Sequence, residues 1–499
     1  MKEVGLVGLV MKIVTNKVTS IETHEHSHGL NRFAVIPTPD RLDADPRFTG
    51  RGVTIAFLDS GFYRHPDLTE PINRIASFHD LSGDEDSANA DRPIESFHWH
   101  GTQTTVAAAG NGHLSEGKYR GVAPDARLVL VKVSRGGRIR EEDIASGLRW
   151  VIDNRERYNI RVLNISLGGD EDVPCSQSVI DQLAEEAVRS RIVVVVAAGN
   201  TTERAPIPPA NSPSVITVGG YDDSNQLAQK ELGLYHSSFG VTAGGTVKPE
   251  LIAPAMWVAA PILPNTDLYR RAESLSLIVQ APDYQLREVA ERVWPHTGLP
   301  ESLLHEQPET IRQAAELSLK DDSVVATHYK HVDGTSFAAP IVTSIVAQMI
   351  EANPKLTPGA IKNILISTAD RITTAPAIRQ GYGVINARRA IELAQREQHE
   401  LNGLGCSPPR VENGQLVFLY HDDTAESVAL AGDFNGWNSA LTPLTKDGTG
   451  LWFAEIEALK AGRYQYKFIV NDSRWVEDPG NGMRVTDNYG GLNSILTVE

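Results

Sequence analysis

Residues His331–Val342 read HVDGTSFAAPIV and join a run of small residues to an apolar segment, Thr343–Ile350. The apolar segment predicts a buried helix with Ser336 in its first turn. A helix start favours negative charge, and Pro340 is tolerated there because its missing N–H matters little. A serine hydroxyl so placed suits a nucleophile with an oxyanion donor in the same turn. A serine that only caps a core helix is the alternative interpretation.

The chain upstream of this stretch alternates apolar strands with helices. The run Val53–Leu58 ends in Asp59, and similar strands are predicted at Leu128–Val133, Val162–Ser166, Ile192–Ala198 and Val215–Val218. This alternation predicts an α/β fold with a doubly wound, mostly parallel sheet that is covered by helices on both faces. Catalytic groups in such sheets collect at the carboxyl ends of strands, where Asp59 is expected.

A second helix of small residues is predicted in His98–Gly110, which reads HWHGTQTTVAAAG. An isolated histidine at a helix start is usually structural. Beside a strand-end aspartate and a helix-start serine, however, His100 becomes a candidate general base. The three residue types therefore point to nucleophilic catalysis by a serine.

The motifs around these residues resemble those of the subtilisin-like serine peptidases, or subtilases. Asp59–Gly61 (DSG), His100–Thr102 (HGT) and Gly334–Pro340 (GTSFAAP) follow the order of that family. Asn164–Gly169 (NISLGG) and Ala197–Asn200 (AAGN) also agree, and the similarity extends over about residues 50–255 and 330–395.

The resemblance implies a role for each candidate residue. Ser336 would attack the scissile carbonyl, His100 would accept its proton, and Asp59 would orient the imidazole. Asn200 and the backbone N–H of Ser336 would bind the oxyanion, although an ordinary turn asparagine is the alternative for Asn200. The walls of the substrate pocket would be Ser166, Leu167 and Gly168 on one side and Ala197, Ala198 and Gly199 on the other. Their small, uncharged side chains favour an apolar or undemanding P1 residue.

Composition argues against several other classes. The chain has 499 residues, enough for two or more domains, and a formal net charge of −16, which disfavours nucleic acid and anionic membranes as partners. We expect no membrane-spanning segment, because no run of about 18 apolar residues occurs. Two distant cysteines, Cys175 and Cys406, supply no disulfide framework. Residues 1–19 make a poor signal peptide, so a cytoplasmic location is expected, with secretion as the alternative.

Two segments depart from the family pattern, one before the expected peptidase domain and one within it. The N-terminal extension, residues 1–48, is too short for a folded propeptide; within it, Phe33–Pro37 is either an inhibitory segment in the cleft or a plain connection. Within the peptidase domain, residues 49–400, a helical insertion at residues 257–330 directly precedes the nucleophile. It is either a lid over the cleft or a surface elaboration.

Two polar clusters raise the question of metal binding. Three histidines alternate in His24–His28, and Asp84–Ser87 is an acidic run without the spacing of a calcium loop. Solvated loops are the alternative for both. We expect no required cofactor and assign no metal ligands; Ca²⁺ remains an option as a structural ion only.

A linker, residues 401–410, is followed by a predicted all-β immunoglobulin-like sandwich at residues 411–499. The sandwich resembles the glycogen-binding and isoamylase-N-terminal-like carbohydrate-binding modules, most strongly in Val428–Asn438 (VALAGDFNGWN). That resemblance implies a sugar-binding face made of Trp437, Lys467, Trp475, Tyr489 and Asn493. A docking or stabilising module is the alternative.

We therefore expect a serine endopeptidase that cleaves protein substrates through an acyl-enzyme, with a C-terminal module for a glycogen-like α-glucan. The competing hypothesis is an inactive or autoinhibited subtilase-fold protein that binds or regulates and is targeted by its C-terminal module.

Overall fold

The computed structural model describes residues 34–81, 94–169, 171–227, 232–396, 409–412, 415–422, 424–446, 450–481, 484–487 and 489–498. The predicted histidine cluster at residues 24–28, the acidic run at residues 84–87 and most of the predicted linker lie outside these residues.

The first part of the chain forms an α/β unit. Its strands are β1 (Thr54–Asp59), β2 (Ile75–Asp80), β3 (Arg127–Lys132), β4 (Ser134–Arg135), β5 (Arg138–Ile139), β6 (Ile160–Ile165), β7 (Val193–Ala197), β8 (Ile216–Asp222), β9 (Gly233–Leu234), β10 (Gly240–Val241), β11 (Val247–Lys248) and β12 (Leu251–Pro254). Its helices are α1 (Thr38–Arg41), α2 (Pro66–Thr69), α3 (Trp99–Ala109), α4 (Glu141–Asp153), α5 (Arg155–Tyr158) and α6 (Val179–Arg189).

The insertion contains α7 (Asp267–Gln280), α8 (Asp283–Val293) and α9 (Pro308–Asp321), between strands β13 (Val258–Pro261), β14 (Val324–Ala326) and β15 (Tyr329–Val332). The α/β unit then ends with α10 (Thr335–Ala352), α11 (Pro358–Thr368), α12 (Ala377–Gln380) and α13 (Ala387–Arg396).

The central sheet has the strand order β12-β8-β7-β6-β1-β3-β2, with β9 as an added antiparallel strand on β8. All other pairs in it are parallel. Because side chains alternate across a strand, Ile55 and Phe57 pack with α3 and α10, whereas Ala56 and Leu58 pack with α4 and α6. The predicted doubly wound sheet with helices on both faces is confirmed.

Helix α10 runs through the middle of the core and carries Ser336 as its second residue, as predicted. Pro340 lies one turn further into the helix than expected. Its missing N–H leaves the carbonyl of Ser336 without the usual i+4 donor, and the Ser166 hydroxyl donates to that carbonyl instead, at 3.0 Å. By length and composition α10 is the one described helix that could cross a membrane, but 83% of the window is buried inside the protein.

The insertion has its own hydrophobic core, in which α7, α8 and α9 pack together. The predicted helices of the insertion are present, and Leu286, Ala290 and Ile311 are fully buried in this core. Strand β13 pairs with β15 in an antiparallel ribbon, so the insertion leaves and rejoins the α/β unit at one place. That place directly precedes α10.

The C-terminal part is a sandwich of two antiparallel sheets. Its strands are β16 (Arg410–Glu412), β17 (Gln415–His421), β18 (Val428–Gly432), β19 (Thr445–Lys446), β20 (Leu451–Glu457), β21 (Gly462–Val470), β22 (Arg474–Val476), β23 (Arg484–Thr486) and β24 (Leu492–Val498). One sheet has the order β16-β17-β20-β19, the other the order β18-β21-β24-β23 with β22 added on β21. Phe418 and Phe468 are fully buried between the sheets. The predicted all-β sandwich is confirmed.

The sandwich is packed against the α/β unit near α12. Leu492 shares a small buried cluster with Val247 and Ala377. The guanidinium of Arg484 lies 4.3 Å from the ring centroid of Tyr382, in the range of a cation–π contact.

Candidate active site

Asp59 and His100 meet at the carboxyl end of β1, the strand between β3 and β6. The carboxyl oxygen Oδ1 of Asp59 lies 2.7 Å from Nδ1 of His100. Asp59 is buried, and its other contacts fix the carboxylate: the Ser60 N–H donates to Oδ1 at 2.7 Å and the Thr104 hydroxyl donates to Oδ2 at 3.2 Å. A carboxylate held this way fixes the tautomer and the orientation of the imidazole.

The approach of these two residues depends on Gly101. A Cβ at this position would lie 2.3 Å from the carbonyl oxygen of Gly61 and 3.0 Å from the Cβ of Asp59. Gly101 therefore allows α3 to begin directly against the end of β1. The sequence indicated this glycine only as part of the His100–Thr102 motif.

His100 is mostly buried, and its side chain is 22% exposed. Burial is the largest influence on its pKa and lowers it, but the charge of Asp59 and the hydrogen bond to it act oppositely, and the pKa is raised overall. The ring centroid of Phe337 lies 6.2 Å from that of His100. Since Phe337 follows Ser336 directly, the first turn of α10 lies close to His100.

Ser336 is only partly buried, in contrast to most of α10. Its hydroxyl lies 3.4 Å from the carbonyl oxygen of Ser166. Its backbone N–H belongs to the first turn, where a helix provides no intrahelical acceptor. Ser336 therefore offers a hydroxyl and an amide donor at the same place.

Asn200 lies against the same helix start. Its side-chain oxygen accepts two hydrogen bonds from Thr335, one from the backbone N–H and one from the hydroxyl, both at 2.9 Å. Because Oδ1 is thus occupied, the orientation of the amide is fixed and its NH₂ group is directed away from Thr335. Gly334 enters the helix with φ of 137°, a region that favours glycine.

All six predicted wall residues line one pocket of about 280 Å³. Asn200 and Ser336 line it as well, so the structure brings the predicted pocket and the candidate nucleophile together. The predicted wall residues in this lining are Ser166, Leu167, Gly168, Ala197, Ala198 and Gly199.

The lining also contains residues that the sequence did not predict, notably Arg204, Ile207 and Ser238. Arg204 is the one charged side chain in the lining, and it makes no ion pair with any residue that the structure describes. The six predicted wall residues are small and uncharged as expected, but Arg204, in the loop after Asn200, adds a positive charge. The sequence could have indicated this residue, because it lies only four positions after Asn200.

Neither of the segments suspected of covering the cleft lines this pocket among the described residues. Val35 is buried with Tyr119 and Tyr329, so the described part of Phe33–Pro37 packs on the insertion side. The insertion holds α3 from outside the pocket: the Gln103 side chain donates to the Pro261 carbonyl at 2.9 Å. For Phe33–Pro37, these contacts favour a plain connection over an inhibitory segment. For the insertion, they favour a surface elaboration over a lid.

Within the described ranges, no group of three or more His, Cys, Asp or Glu side chains is placed to hold a metal ion.

The predicted sugar face is divided by the structure into exposed and occupied residues. Trp437 and Trp475 have ring centroids 6.3 Å apart, and Trp475 is 48% exposed, while Tyr489 is almost fully exposed. Lys467, in contrast, is buried and pairs with Asp487 at 2.5 Å. Asn493 is also buried, and its amide donates to the Gln465 side chain at 2.8 Å. The accessible aromatic rings of the predicted face are therefore Trp475, Tyr489 and the partly buried Trp437.

Comparison with known proteins assigns both regions. Residues 50–383 match the subtilase family, Peptidase S8, and residues 403–490 match carbohydrate-binding module 48, the isoamylase N-terminal domain. Serine protease AprX of Bacillus subtilis is 30% identical over 357 residues, which cover 69% of this chain and 67% of that protein. The major intracellular serine protease of the same bacterium is 32% identical over 189 residues, or 36% of this chain and 54% of that protein. The crystal structure of a cold-adapted subtilisin-like serine proteinase is 21% identical, with a TM-score of 0.42, and covers 74% of this chain and 94% of its own.

Proposed function

Since the chain belongs to the subtilase family of serine peptidases, we propose that it cleaves internal peptide bonds of protein substrates with Asp59, His100 and Ser336 as its catalytic triad. The observation that carries the proposal is the 2.7 Å contact of His100 with a buried, fully bonded Asp59. Ser336 lines the substrate pocket, and the ring of the next residue, Phe337, lies 6.2 Å from that of His100, centroid to centroid.

The proposed reaction proceeds in two halves. Ser336 Oγ attacks the scissile carbonyl while His100 Nε2 takes the hydroxyl proton; the carbonyl oxygen becomes an oxyanion that Asn200 Nδ2 and the Ser336 N–H stabilise. Collapse breaks the C–N bond, and His100 returns the proton to the leaving amine. Water then attacks the acyl-enzyme with His100 again as base, which releases the acid and regenerates Ser336.

A serine-directed fluorophosphonate tests this proposal on the full chain. We expect stoichiometric labelling of the wild type and none of Ser336→Ala. Ser146→Ala removes an exposed helix serine and should label like the wild type. If the wild type is not labelled, the competing hypothesis of an inactive or autoinhibited binding protein takes its place.

The C-terminal module is proposed to bind a glycogen-like α-glucan on Trp437 and Trp475. An indole presents a flat apolar surface to the apolar face of a sugar ring, and the centroids of the two rings lie 6.3 Å apart. Co-sedimentation with glycogen should be lost in Trp437→Ala and Trp475→Ala. Tyr284→Ala, which removes an 85% exposed aromatic ring from the insertion, is the control and should bind normally. Binding that survives both tryptophan substitutions would favour the docking alternative.

A cytoplasmic location is proposed on composition alone, with secretion as the alternative. Cell fractionation with an antibody to the chain distinguishes them.

A further inference from the structure

A cleft of about 610 Å³ lies between the peptidase unit and the sandwich, on the side of α11. Helix α11 contributes Asn363 and Ser367 to it, and the sandwich contributes Tyr420, Asp422 and Trp475. Its volume is within the range of about 300–1,000 Å³ that is typical of small-molecule sites. Sites of this kind occur preferentially at domain boundaries.

The charged side chains of the cleft compensate one another. Arg474 pairs with Asp422 at 3.0 Å, and Arg371 pairs with Glu477 across the domain boundary. Arg389, on α13, pairs with Asp370 at 2.6 Å. Since every arginine of the lining already has a carboxylate, the cleft offers no uncompensated charge to an anion. Its donors and acceptors fit a neutral ligand that is rich in hydroxyl groups.

Asn363 points to a ligand most directly. It is 8% exposed and lines the cleft, yet its amide makes no hydrogen bond with any residue that the structure describes. Its neighbours differ, because the hydroxyls of Ser367 and Thr368 both donate to the Ile364 carbonyl. Its amide oxygen and nitrogen are not among the fully buried side-chain atoms without a partner, so they reach the surface of the cleft. An amide offers two donors and an acceptor to a ligand there.

Trp475 connects this cleft with the tryptophan pair. It lines the cleft and lies 6.3 Å from Trp437, ring centroid to centroid. A saccharide chain that lies on the two rings therefore reaches, at its Trp475 end, the cleft that α11 also lines.

We propose that this cleft is part of a composite oligosaccharide site, in which Asn363 of the peptidase unit hydrogen-bonds hydroxyls of a neutral glucan that is stacked on Trp475. The inference rests on the proposed glucan binding by the sandwich and extends it: both domains hold the sugar. Bound glucan thereby links the module to the α11 end of the peptidase unit.

Calorimetric titration of the full chain with maltoheptaose tests the proposal. One or two lost hydrogen bonds of about 0.5–1.5 kcal/mol each predict an affinity that is about 2- to 150-fold weaker in Asn363→Ala. Asn363→Asp, of the same size, should also bind more weakly because it lacks the NH₂ donors. Asn154→Ala removes a partly buried asparagine of another helix end and should bind like the wild type. Hydrolysis of a short peptide should be unchanged in all three variants.

Hydrogen exchange supplies a readout that needs no substitution. Saturating maltoheptaose should slow amide exchange in α11 as well as around Trp475. If the wild type binds no maltoheptaose, the proposed glucan binding itself is wrong, and the composite site with it. If binding is lost in Trp475→Ala but is unchanged in both Asn363 variants, with α11 unprotected, the sandwich binds glucan alone and only the present inference is overturned.

Discussion

The substitution Asn200→Asp separates the two functions of the Asn200 side chain. Its Oδ1 accepts from the N–H and the hydroxyl of Thr335, both at 2.9 Å, and a carboxylate of the same shape can accept both. The change therefore preserves the contacts that hold the helix start. What it removes is the NH₂ group that we assign to the oxyanion. Asn200→Ala, in contrast, would also leave two donors of the buried Thr335 unpaired.

The expected loss follows from the bonds that form only in the transition state. A side-chain oxyanion donor of this kind contributes about 3 kcal/mol in subtilisins, which is about 150-fold in kcat at 1.36 kcal/mol per decade. The aspartate also places a negative charge beside the developing oxyanion, so the total loss should be about 10³-fold or more. KM should change by less than threefold, because the substrate carbonyl carries little charge before attack.

The assay is the hydrolysis of a chromogenic peptide amide by enzyme whose active sites have been counted with a fluorophosphonate. Asn73→Asp is the matched control, since its side-chain oxygen also accepts a backbone N–H, from Ile75 at 3.0 Å, but on an exposed turn. Its kcat should equal that of the wild type. The oxyanion role of Asn200 is refuted if folded Asn200→Asp retains kcat within threefold, or if the whole effect is on KM.

Three further predictions concern pH, specificity and stability. The acid limb of the kcat/KM profile should have its midpoint above pH 6.5, because Asp59 raises the pKa of His100 and the base works only when it is neutral. A midpoint at or below pH 6.5 would contradict the assignment of His100 as the base. The substitution Asp59→Asn should reduce kcat about 10⁴-fold. Arg204→Glu should reduce kcat/KM for peptides with P1 Glu by up to about 30-fold relative to P1 Leu. An exposed ion pair is worth up to about 1 kcal/mol, and charge reversal doubles the effect. An unchanged ratio at low salt would exclude Arg204 from P1 selection. Glu250→Ala should lower the free energy of unfolding in urea by about 3–5 kcal/mol, because the fully buried Lys248 loses its carboxylate partner at 2.7 Å. A decrease in stability below about 1 kcal/mol would show that the lysine becomes solvated or neutral at little cost.

The central sheet and the positions of the candidate triad could be predicted because their signals are local. A continuous apolar run identifies a buried parallel strand such as β1, and the residue after it must emerge at the carboxyl edge of the sheet. Asp59 obeys this rule, and His100 and Ser336 each begin a helix of small residues. Their meeting also required the family resemblance, because periodicity does not specify which helix starts converge.

Features that depend on contacts between distant segments were not predictable. The Ser166 hydroxyl that replaces the missing N–H of Pro340 comes from 170 residues earlier in the chain. Arg204 lies in a loop whose course is determined by packing and not by hydrophobic pattern. The cleft that Asn363 lines together with the sandwich exists only because the two domains pack together. In each case the sequence names the residue type, but the neighbour that gives it meaning is set by tertiary packing.

The two additions to the subtilase core contact it at elements that adjoin the active site. The insertion bonds to Gln103 of α3, the helix that begins with the His100 turn, and Tyr329 donates to the buried Asp67 at 2.7 Å. The sandwich packs on Ala377 of α12, and Arg379 of the same helix donates to the Tyr235 carbonyl at 3.1 Å, three residues before the pocket residue Ser238. Loosening either attachment should therefore alter the histidine helix or the pocket wall before it exposes the core. The insertion therefore supports α3 through its contact with Gln103.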